Sequence, residues 1–265
     1  MAKQNFIKVL YAVSIIGLGS PHSDLLAAED PTPRVTLPEA IEEVKEEHTT
    51  GAKWLWQEQL KPTLEHAGDS ESLWILLGTA AATSLAHQQD EDVRKDYGHN
   101  QKMSKGAARF GSIIGSGIPG IAIVAGQIYF DTENGLQHAR ALGFTALTHI
   151  TLAETTERTR PNGKNLSFPS GHTSSSFATA TSLYYDYGPY VGVPALFLAS
   201  FIGASRIASD SHWLSDTVAG AGLGIFWARA SEQVRITGNK KTSFYPLYLP
   251  TEQGVMLGAG LERKF

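Results

Sequence analysis

The sequence contains no cysteine among its 265 residues. This absence excludes a disulfide framework, thiolate zinc sites, iron–sulfur clusters and a catalytic thiol. Charged residues are also few, at 18%, and the formal net charge is −4. Because a nucleic-acid-binding domain normally carries a basic surface, the composition predicts that this protein binds no nucleic acid. Nothing in the sequence implies a cofactor.

Long hydrophobic runs are scarce, and the mean hydropathy of −0.14 is low for a protein made mainly of membrane spans. Uncharged stretches rich in small residues cover residues 73–86, 110–130, 141–153, 189–205 and 217–228. Among these, 110–130 alone is long enough to cross a bilayer, and Pro119 is expected to kink it. Two alternatives fit this pattern: helices buried in a soluble bundle, or closely packed membrane spans.

The first 28 residues have the layout of a secretory signal peptide. Lys3 and Lys8 form a basic start, an apolar run follows over residues 9–19, and small residues end at Ala28. We therefore predict that residues 1–28 are a signal peptide and that the protein is exported, to the periplasm or to the periplasmic face of the inner membrane. An uncleaved N-terminal anchor is the alternative, although the apolar run is shorter than a span.

The rest of the chain divides into three predicted parts. Residues 29–70 form a linker and an amphipathic helix, whose two tryptophans contact either the domain or lipid headgroups. Residues 71–236 form the core, in which the charged segment 87–105 is predicted to be a solvent-facing loop. Residues 237–265 form a short C-terminal tail, extended or folded as a hairpin, because prolines and a Gly-containing turn divide it into short segments.

The residues whose side chains could bind a substrate or take part in a reaction occur in three clusters. The third cluster contains Arg206, His212 and Asp216. His212 and Asp216 are four positions apart, so on a helix they share one face. A carboxylate that holds one imidazole nitrogen as N–H leaves the other nitrogen free as a nucleophile or base. Helix-capping residues at 209–211 separate Arg206 from His212. We therefore predict that one helix ends near Arg206 and that another begins near His212.

The other two clusters are suited to binding an anion. Pro169 ends any preceding helix, Ser170 can act as an N-cap, and Gly171 permits a close backbone approach. The N–H groups at such a helix start bind phosphate, and His172 lies there to donate a proton to a leaving group. Arg160 adds a bidentate donor for anionic oxygens.

Together the clusters predict a phosphate-ester site with no bound metal. The site combines two arginines, two histidines, an aspartate and a helix start that favours anions. A histidine metal site is disfavoured, because His172 and His212 lack a third ligand at the usual spacing and the arginines repel cations.

The motif order resembles the type-2 phosphatidic acid phosphatase superfamily, which includes lipid phosphatases, bacterial class A acid phosphatases and vanadium haloperoxidases. The matching residues are Arg160 and Pro161, then Pro-Ser-Gly-His at 169–172, then Ser205, Arg206, His212 and Asp216. The resemblance implies an all-α fold, a helical bundle of about six core helices with the site at one end. The N-terminal helix and the C-terminal tail lie outside the resemblance.

The resemblance also implies a role for each residue. His212 would attack phosphorus and form a phosphohistidine, oriented by Asp216, and His172 would protonate the leaving alcohol and later activate water. The groups that would hold the phosphoryl oxygens are Arg160, Arg206, Ser170 and the N–H of Gly171.

One position departs from the family pattern. The first family motif places a lysine seven residues before the arginine, and Ala153 occupies that position here. Loss of one charge-assisted contact costs about 1.5–3 kcal/mol. Arg158 and Lys164 are the candidate replacement cations, but on a continuous helix Arg158 would lie on a different face from position 153.

These observations predict an enzyme, a phosphoric monoester hydrolase associated with the membrane. Its substrate would be a lipid phosphate monoester or pyrophosphate, such as phosphatidic acid, a prenyl diphosphate or a lipid A-type phosphate. One alternative is a soluble exported acid phosphatase that acts on small phosphoesters, and another is a catalytically weakened relative that binds phosphate. Haloperoxidase chemistry is disfavoured, because it needs tightly held vanadate and one cation is missing.

Overall fold

The computed structural model describes residues 51–99, 102–234, 242–251 and 254–263. Residues 1–28, predicted to be a signal peptide, and the predicted linker lie outside the described residues. The described helices are α1 (Lys61–Ala67), α2 (Ser70–His87), α3 (Asp90–Val93), α4 (Lys105–Ile114), α5 (Ile118–Phe130), α6 (Thr132–Thr156), α7 (Gly171–Tyr187), α8 (Pro189–Ala208) and α9 (Leu214–Glu232). Two π-helical segments, Leu55–Leu60 and Arg94–His99, precede α1 and follow α3.

The predicted helical bundle is confirmed. When α4 and α5 are taken as one broken helix, the described core contains six long helices. The break lies at Gly117, whose φ of +86° favours glycine, and Pro119 lies in the first turn of α5. A kink at Pro119 was expected in the stretch 110–130. In the structure the helix is instead completely interrupted, just before this proline.

The C-terminal tail forms the hairpin that was one of the two predicted alternatives. Strands β1 (Thr242–Thr251) and β2 (Gly254–Arg263) pair antiparallel, with Thr251 opposite Gly254 at the turn.

Helices α7 and α9 form the centre of the bundle, and glycines let their backbones approach closely. A methyl group on Gly220 would lie 2.6 Å from the carbonyl oxygen of Ser170, and one on Gly224 would lie 2.6 Å from the backbone nitrogen of Ala178. Any larger residue at these positions would separate the two helices. This close contact brings the first turn of α7 next to the first turn of α9.

Aromatic packing fixes α6 against α9. The rings of Phe144 and Trp227 stack with their centroids 4.6 Å apart, and the indole N–H of Trp227 donates a hydrogen bond of 2.9 Å to the Thr148 hydroxyl. The buried indole therefore has a polar partner as well as an apolar one. Helices α6, α7 and α9 form a rigid support for the end of the bundle at which α6 stops and α7 and α9 begin.

The described part of the N-terminal helix has one face against the bundle. Gln59 and Thr63 are buried, and the Arg140 guanidinium donates to the side-chain oxygen of Gln59. Trp54 and Trp56 are exposed by 41% and 53%. The helix thus packs on the domain through polar residues, and its tryptophans face outward, where they are free to contact lipid headgroups.

Two helices are long and apolar enough to cross a membrane by length and composition, namely residues 105–130 (α4 with α5) and Pro189–Ala208 (α8). The sequence analysis identified only the first. Large apolar side chains on both helices are exposed, including Phe110, Ile118, Ile121 and Phe197. Exposure of many large apolar side chains on these two helices favours the membrane alternative over buried helices.

Substituting Gly224→Ala is expected to lower the free energy of unfolding by about 1–3 kcal/mol, because the added methyl group would clash with the backbone of α7. Gly143→Ala is the matched control. Gly143 is an exposed residue of α6, and an added methyl group there would meet nothing within 4 Å. The control is expected to be neutral or to stabilise the helix by up to about 1 kcal/mol. Thermal unfolding in detergent measures both changes, and equal effects would contradict the close contact of α7 and α9.

Candidate active site

The three predicted clusters meet at one end of the bundle. The predicted boundary in the third cluster is confirmed, since α8 ends at Ala208 and α9 begins at Leu214. The backbone N–H of Ser170 donates to the carbonyl of Asp216 at 2.9 Å, which joins the start of α7 to the start of α9. The second and third clusters are therefore connected directly through the backbone.

His212 is buried, with 4% of its surface exposed. Its Nδ1 donates a hydrogen bond of 2.7 Å to the backbone carbonyl of Ser167, whereas the nearest oxygen of Asp216 is 3.8 Å away. Because a carbonyl oxygen only accepts, this contact places the proton on Nδ1 and leaves the lone pair on Nε2. The tautomer is the one expected of a nucleophile, but the hydrogen-bond acceptor is the Ser167 carbonyl instead of the predicted Asp216 carboxylate.

Asp216 acts on His212 through its neighbours. Its carboxylate is fully buried and accepts hydrogen bonds from Arg158 at 2.7 Å, from the backbone N–H of Trp213 at 2.8 Å, and from the Ser167 hydroxyl. The Ser167 residue thus contacts both Asp216 and His212. A carboxylate held in this way fixes the loop whose carbonyl orients the imidazole.

Arg158 is not on a helix, so the prediction about its helical face is wrong. Helix α6 ends at Thr156, and Glu157 adopts a left-handed conformation with φ of 47°. This reversal turns Arg158 towards Asp216 and Asp90, with a distance of 2.7 Å to each carboxylate. Arg158 therefore supports the site through these two carboxylates.

Asp90, which the sequence analysis placed in a solvent-facing loop, is buried behind the site. Its carboxylate accepts hydrogen bonds from the Ser215 backbone N–H at 2.9 Å, the Ser215 hydroxyl at 2.7 Å, Arg158 at 2.7 Å and Nδ1 of His87 at 2.8 Å. Burial by itself would raise the pKa of Asp90, but these hydrogen bonds outweigh it and lower the pKa below the ordinary value. No spacing motif marks this residue, because its main partners are far away in sequence.

His172 lies in the first turn of α7, in a strongly positive environment. Burial lowers the pKa of His172 to about 4, and the charges of Arg206, His212 and Arg160 act in the same direction. These four predicted side chains therefore lie close enough together to interact electrostatically. A phosphate dianion bound there would offset the positive charges and raise the pKa of His172 again.

The two arginines near His172 differ in their hydrogen-bond partners. Arg206 is buried, and its Nε has no hydrogen-bond partner among the described residues. Arg160 donates from its Nε to the carbonyl of Asn165 and from a terminal nitrogen to that of Leu166, both at 3.2 Å. These two bonds orient its guanidinium and use two of its five N–H groups. A buried guanidinium nitrogen without a partner points to an anionic ligand.

Helix α7 begins at Gly171, as predicted, with Ser170 at the N-cap position. The Ser170 side chain makes no capping hydrogen bond, and its hydroxyl accepts instead from the Thr173 hydroxyl at 3.0 Å. The N–H groups of the first turn thus lack a side-chain acceptor, and such groups are suited to bind an anion.

His149 is a third residue of the site that was not predicted from the sequence, after Ser167 and Asp90. A methyl group on Gly171 would lie 2.7 Å from Nε2 of His149, so the imidazole ring lies directly against the start of α7. His149 also interacts electrostatically with His212. Its position four residues before Ala153, on the same face of α6, was the available sequence signal.

Substituting Asp90→Asn is expected to lower the free energy of unfolding by about 1.5–3 kcal/mol at neutral pH, because Arg158 loses a charged partner. The folded-state pKa of Asp90 is lowered, so this contribution is present above the pKa of the unfolded chain and is lost as the pH falls through the lower folded value. The difference between wild type and variant is therefore constant above about pH 5 and shrinks below about pH 4. Measuring the free energy of unfolding of wild type and variant across this pH range tests the predicted difference.

The matched control for this prediction is Asp92→Asn in the same helix. Its side chain is 78% exposed, so the expected change in stability is close to zero at every pH. Equal effects of the two substitutions, or an Asp90→Asn effect that does not depend on pH, would contradict the buried network.

Comparison with known proteins gives a family match. The family model of the PAP2 superfamily matches residues 121–238, a range that contains every predicted site residue. Asp90 lies outside the matched range.

One curated relative and two solved structures are similar to the chain. Lipid A 1-phosphatase of Porphyromonas gingivalis is 46% identical over 72 residues, which are 26% of this chain and only 16% of that protein. The crystal structure of Aquifex aeolicus LpxE has a TM-score of 0.51 at 22% identity, covering 54% of this chain and 94% of its own. A transmembrane PAP2-type phosphatidylglycerolphosphate phosphatase from Bacillus subtilis has a TM-score of 0.51 at 21% identity, covering 62% and 96%. The two structural likenesses show the fold.

Proposed function

Residues 121–238 belong to the PAP2 superfamily, and from this premise we propose that the protein is a metal-independent lipid phosphatase. The observation that carries the proposal is the positive space at the end of the bundle. There the buried Arg206, whose Nε has no hydrogen-bond partner among the described residues, lies within electrostatic reach of His172, as do Arg160 and His212. The arrangement is suited to a phosphate group and would repel a metal cation.

The geometry supports a two-step reaction. In the first step, Nε2 of His212 attacks phosphorus, the bond from phosphorus to the leaving oxygen breaks, and His172 donates its proton to that oxygen. In the second step, His172 accepts a proton from water, the water oxygen attacks the phosphohistidine, and inorganic phosphate leaves with regeneration of His212. In the neutral imidazole of His212, the hydrogen bond from Nδ1 to the Ser167 carbonyl leaves the lone pair on the attacking Nε2.

Charge neutralisation completes this mechanism. Catalysis of phosphoryl transfer depends mainly on positioning the reacting groups and on stabilising the charge on the equatorial oxygens. Arg160, Arg206 and the N–H groups of Gly171 and the residues after it would supply both. Two loop carbonyls already orient the guanidinium of Arg160. This side chain therefore needs little reorganisation when substrate binds.

An apolar groove beside His172 favours a lipid as the leaving group. The groove, with a volume of about 200 Å³, lies between α5, α7 and α8, and Ser175 and Ser176 line it one helical turn from His172. Since His172 would protonate the leaving alcohol, a groove one helical turn away suits the hydrocarbon chain of that alcohol. Its other lining residues include Ile123, Thr179, Leu183, Ala195 and Leu198.

The substrate class follows from this groove and from the curated relative. We propose a lipid phosphate monoester, with a lipid A-type phosphate as the first compound to test, in preference to a small soluble phosphoester. The signal-like start of the chain supports an exported enzyme that acts at the periplasmic face of the inner membrane.

His212→Gln is expected to reduce phosphate release by at least about a thousandfold, because it removes the nucleophile. The assay uses the full-length protein in detergent with a lipid A-type phosphate, phosphatidic acid, a prenyl diphosphate and para-nitrophenyl phosphate. Turnover should resist chelators, and quenching with a labelled substrate in an alkaline denaturant should trap an alkali-stable, acid-labile phosphoprotein only in the wild type. His66→Gln, which removes a partly exposed histidine of α1, is the control. Undiminished activity in His212→Gln would refute the mechanism.

Ala195→Phe, which fills the groove, is expected to lower kcat/KM for a lipid phosphate about tenfold or more and to leave para-nitrophenyl phosphate unaffected. Val193→Phe adds the same ring to an exposed position of α8 and is the matched control. Equal losses on both substrates, or turnover of the small ester alone in the wild type, would favour a soluble acid phosphatase instead.

A further inference from the structure

The site contains a histidine that the mechanism above does not use. His149 lies on α6, one helical turn before Ala153, and is partly buried. Residues four apart share a helix face, so His149 and Ala153 face the same side of α6. The side chain of Ala153 is a buried methyl group and offers no contact to an anion.

The imidazole edge of His149 lies against the start of α7. A methyl group on Gly171 would be 2.7 Å from Nε2, 3.1 Å from Cδ2 and 3.3 Å from Cε1. Gly171 is the first residue of α7, and no side chain caps the first turn of this helix. Nε2 of His149 thus lies close to the first residue of α7, the helix start whose backbone N–H groups are suited to bind a phosphate. His149 also lies close enough to His212, the nucleophile of the proposed reaction, for the two side chains to interact electrostatically.

We propose that Nε2 of His149 donates a hydrogen bond to a phosphoryl oxygen bound at the start of α7, replacing the cationic contact that Ala153 does not provide. This inference rests on the proposed phosphatase function and adds a substrate-binding residue to it. The imidazolium form donates from both nitrogens, and a bound dianion favours that form. His149 thereby supplies a charge-assisted contact from the same helix face as position 153, one turn earlier.

The proposal differs from a packing role in its response to an aromatic ring without nitrogen. His149→Phe keeps a planar ring against Gly171 but removes the donor. A packing role predicts that this variant binds phosphate as the wild type does, and a hydrogen-bonding role predicts a loss. His149→Gln retains an amide nitrogen near the position of Nε2, so a smaller loss is expected.

The experiment measures the dissociation constants of inorganic phosphate and orthovanadate by calorimetry, with the full-length protein in detergent. His149→Phe is expected to weaken binding by about ten- to a hundredfold, the loss of one charge-assisted hydrogen bond. Adding Ala153→Lys to His149→Phe is expected to restore most of this loss, because the lysine supplies a cation from the same helix face. His66→Gln, which removes a histidine from α1, is expected to bind both anions as the wild type does.

Unchanged binding by His149→Phe, or an equal loss in His66→Gln, would overturn the proposal. A loss in His149→Phe that Ala153→Lys leaves uncorrected would also count against it. If His149→Phe does not fold, the ¹⁵N ring resonances of His149 in the wild type provide the test, because they should shift on saturation with phosphate and would remain unchanged otherwise.

The same experiment separates this inference from the proposed function. A wild-type protein that binds phosphate in a His149-dependent manner but hydrolyses no phosphoester would refute the phosphatase and leave the binding residue in place. If the wild type hydrolyses a lipid phosphate and His149→Phe binds anions as the wild type does, only the proposed role of His149 is refuted.

Discussion

The carboxylate of Asp216 is buried at the first turn of α9, where it accepts hydrogen bonds from Arg158, the Trp213 backbone and the Ser167 hydroxyl. A buried carboxylate is costly unless it is fully hydrogen-bonded, so this group constrains all three partners at once. Through Ser167 it sets the direction of the His212 imidazole. Asp90 extends the same constraint by binding Arg158 and the start of α9 from the opposite side.

This network depends on how closely α7 and α9 approach. Gly220 lies against the carbonyl of Ser170, so the helix start that is suited to bind phosphate is held next to Asp216. The polar network and the glycine contacts therefore support each other, since neither helix can shift without breaking hydrogen bonds to a buried charge. Rigid positioning of this kind is what phosphoryl transfer requires.

The charged side chains of the described site fall into two groups. Asp216 and Asp90 neutralise Arg158 behind the site, whereas Arg160, Arg206 and His172 remain in front of it. Such a separation of charge leaves the front free to bind an anion and stabilises the support behind it. Ala153 supplies no cation to this group, and we propose that His149 makes the missing contact.

The sequence by itself determined the motif residues, the start of α7 after Ser170 and the gap between α8 and α9, because capping chemistry and helical spacing act over a few residues. It also limited the fold to a helical bundle by way of the family resemblance. Only the tertiary structure decided that Asp90, Ser167 and His149 belong to the site. Asp90 and Ser215 are 125 residues apart in sequence, and the contact between His149 and Gly171 exists only because α6 and α7 pack at the same end of the bundle. Contacts of that kind depend on the packing of distant helices, which no local pattern of residues records.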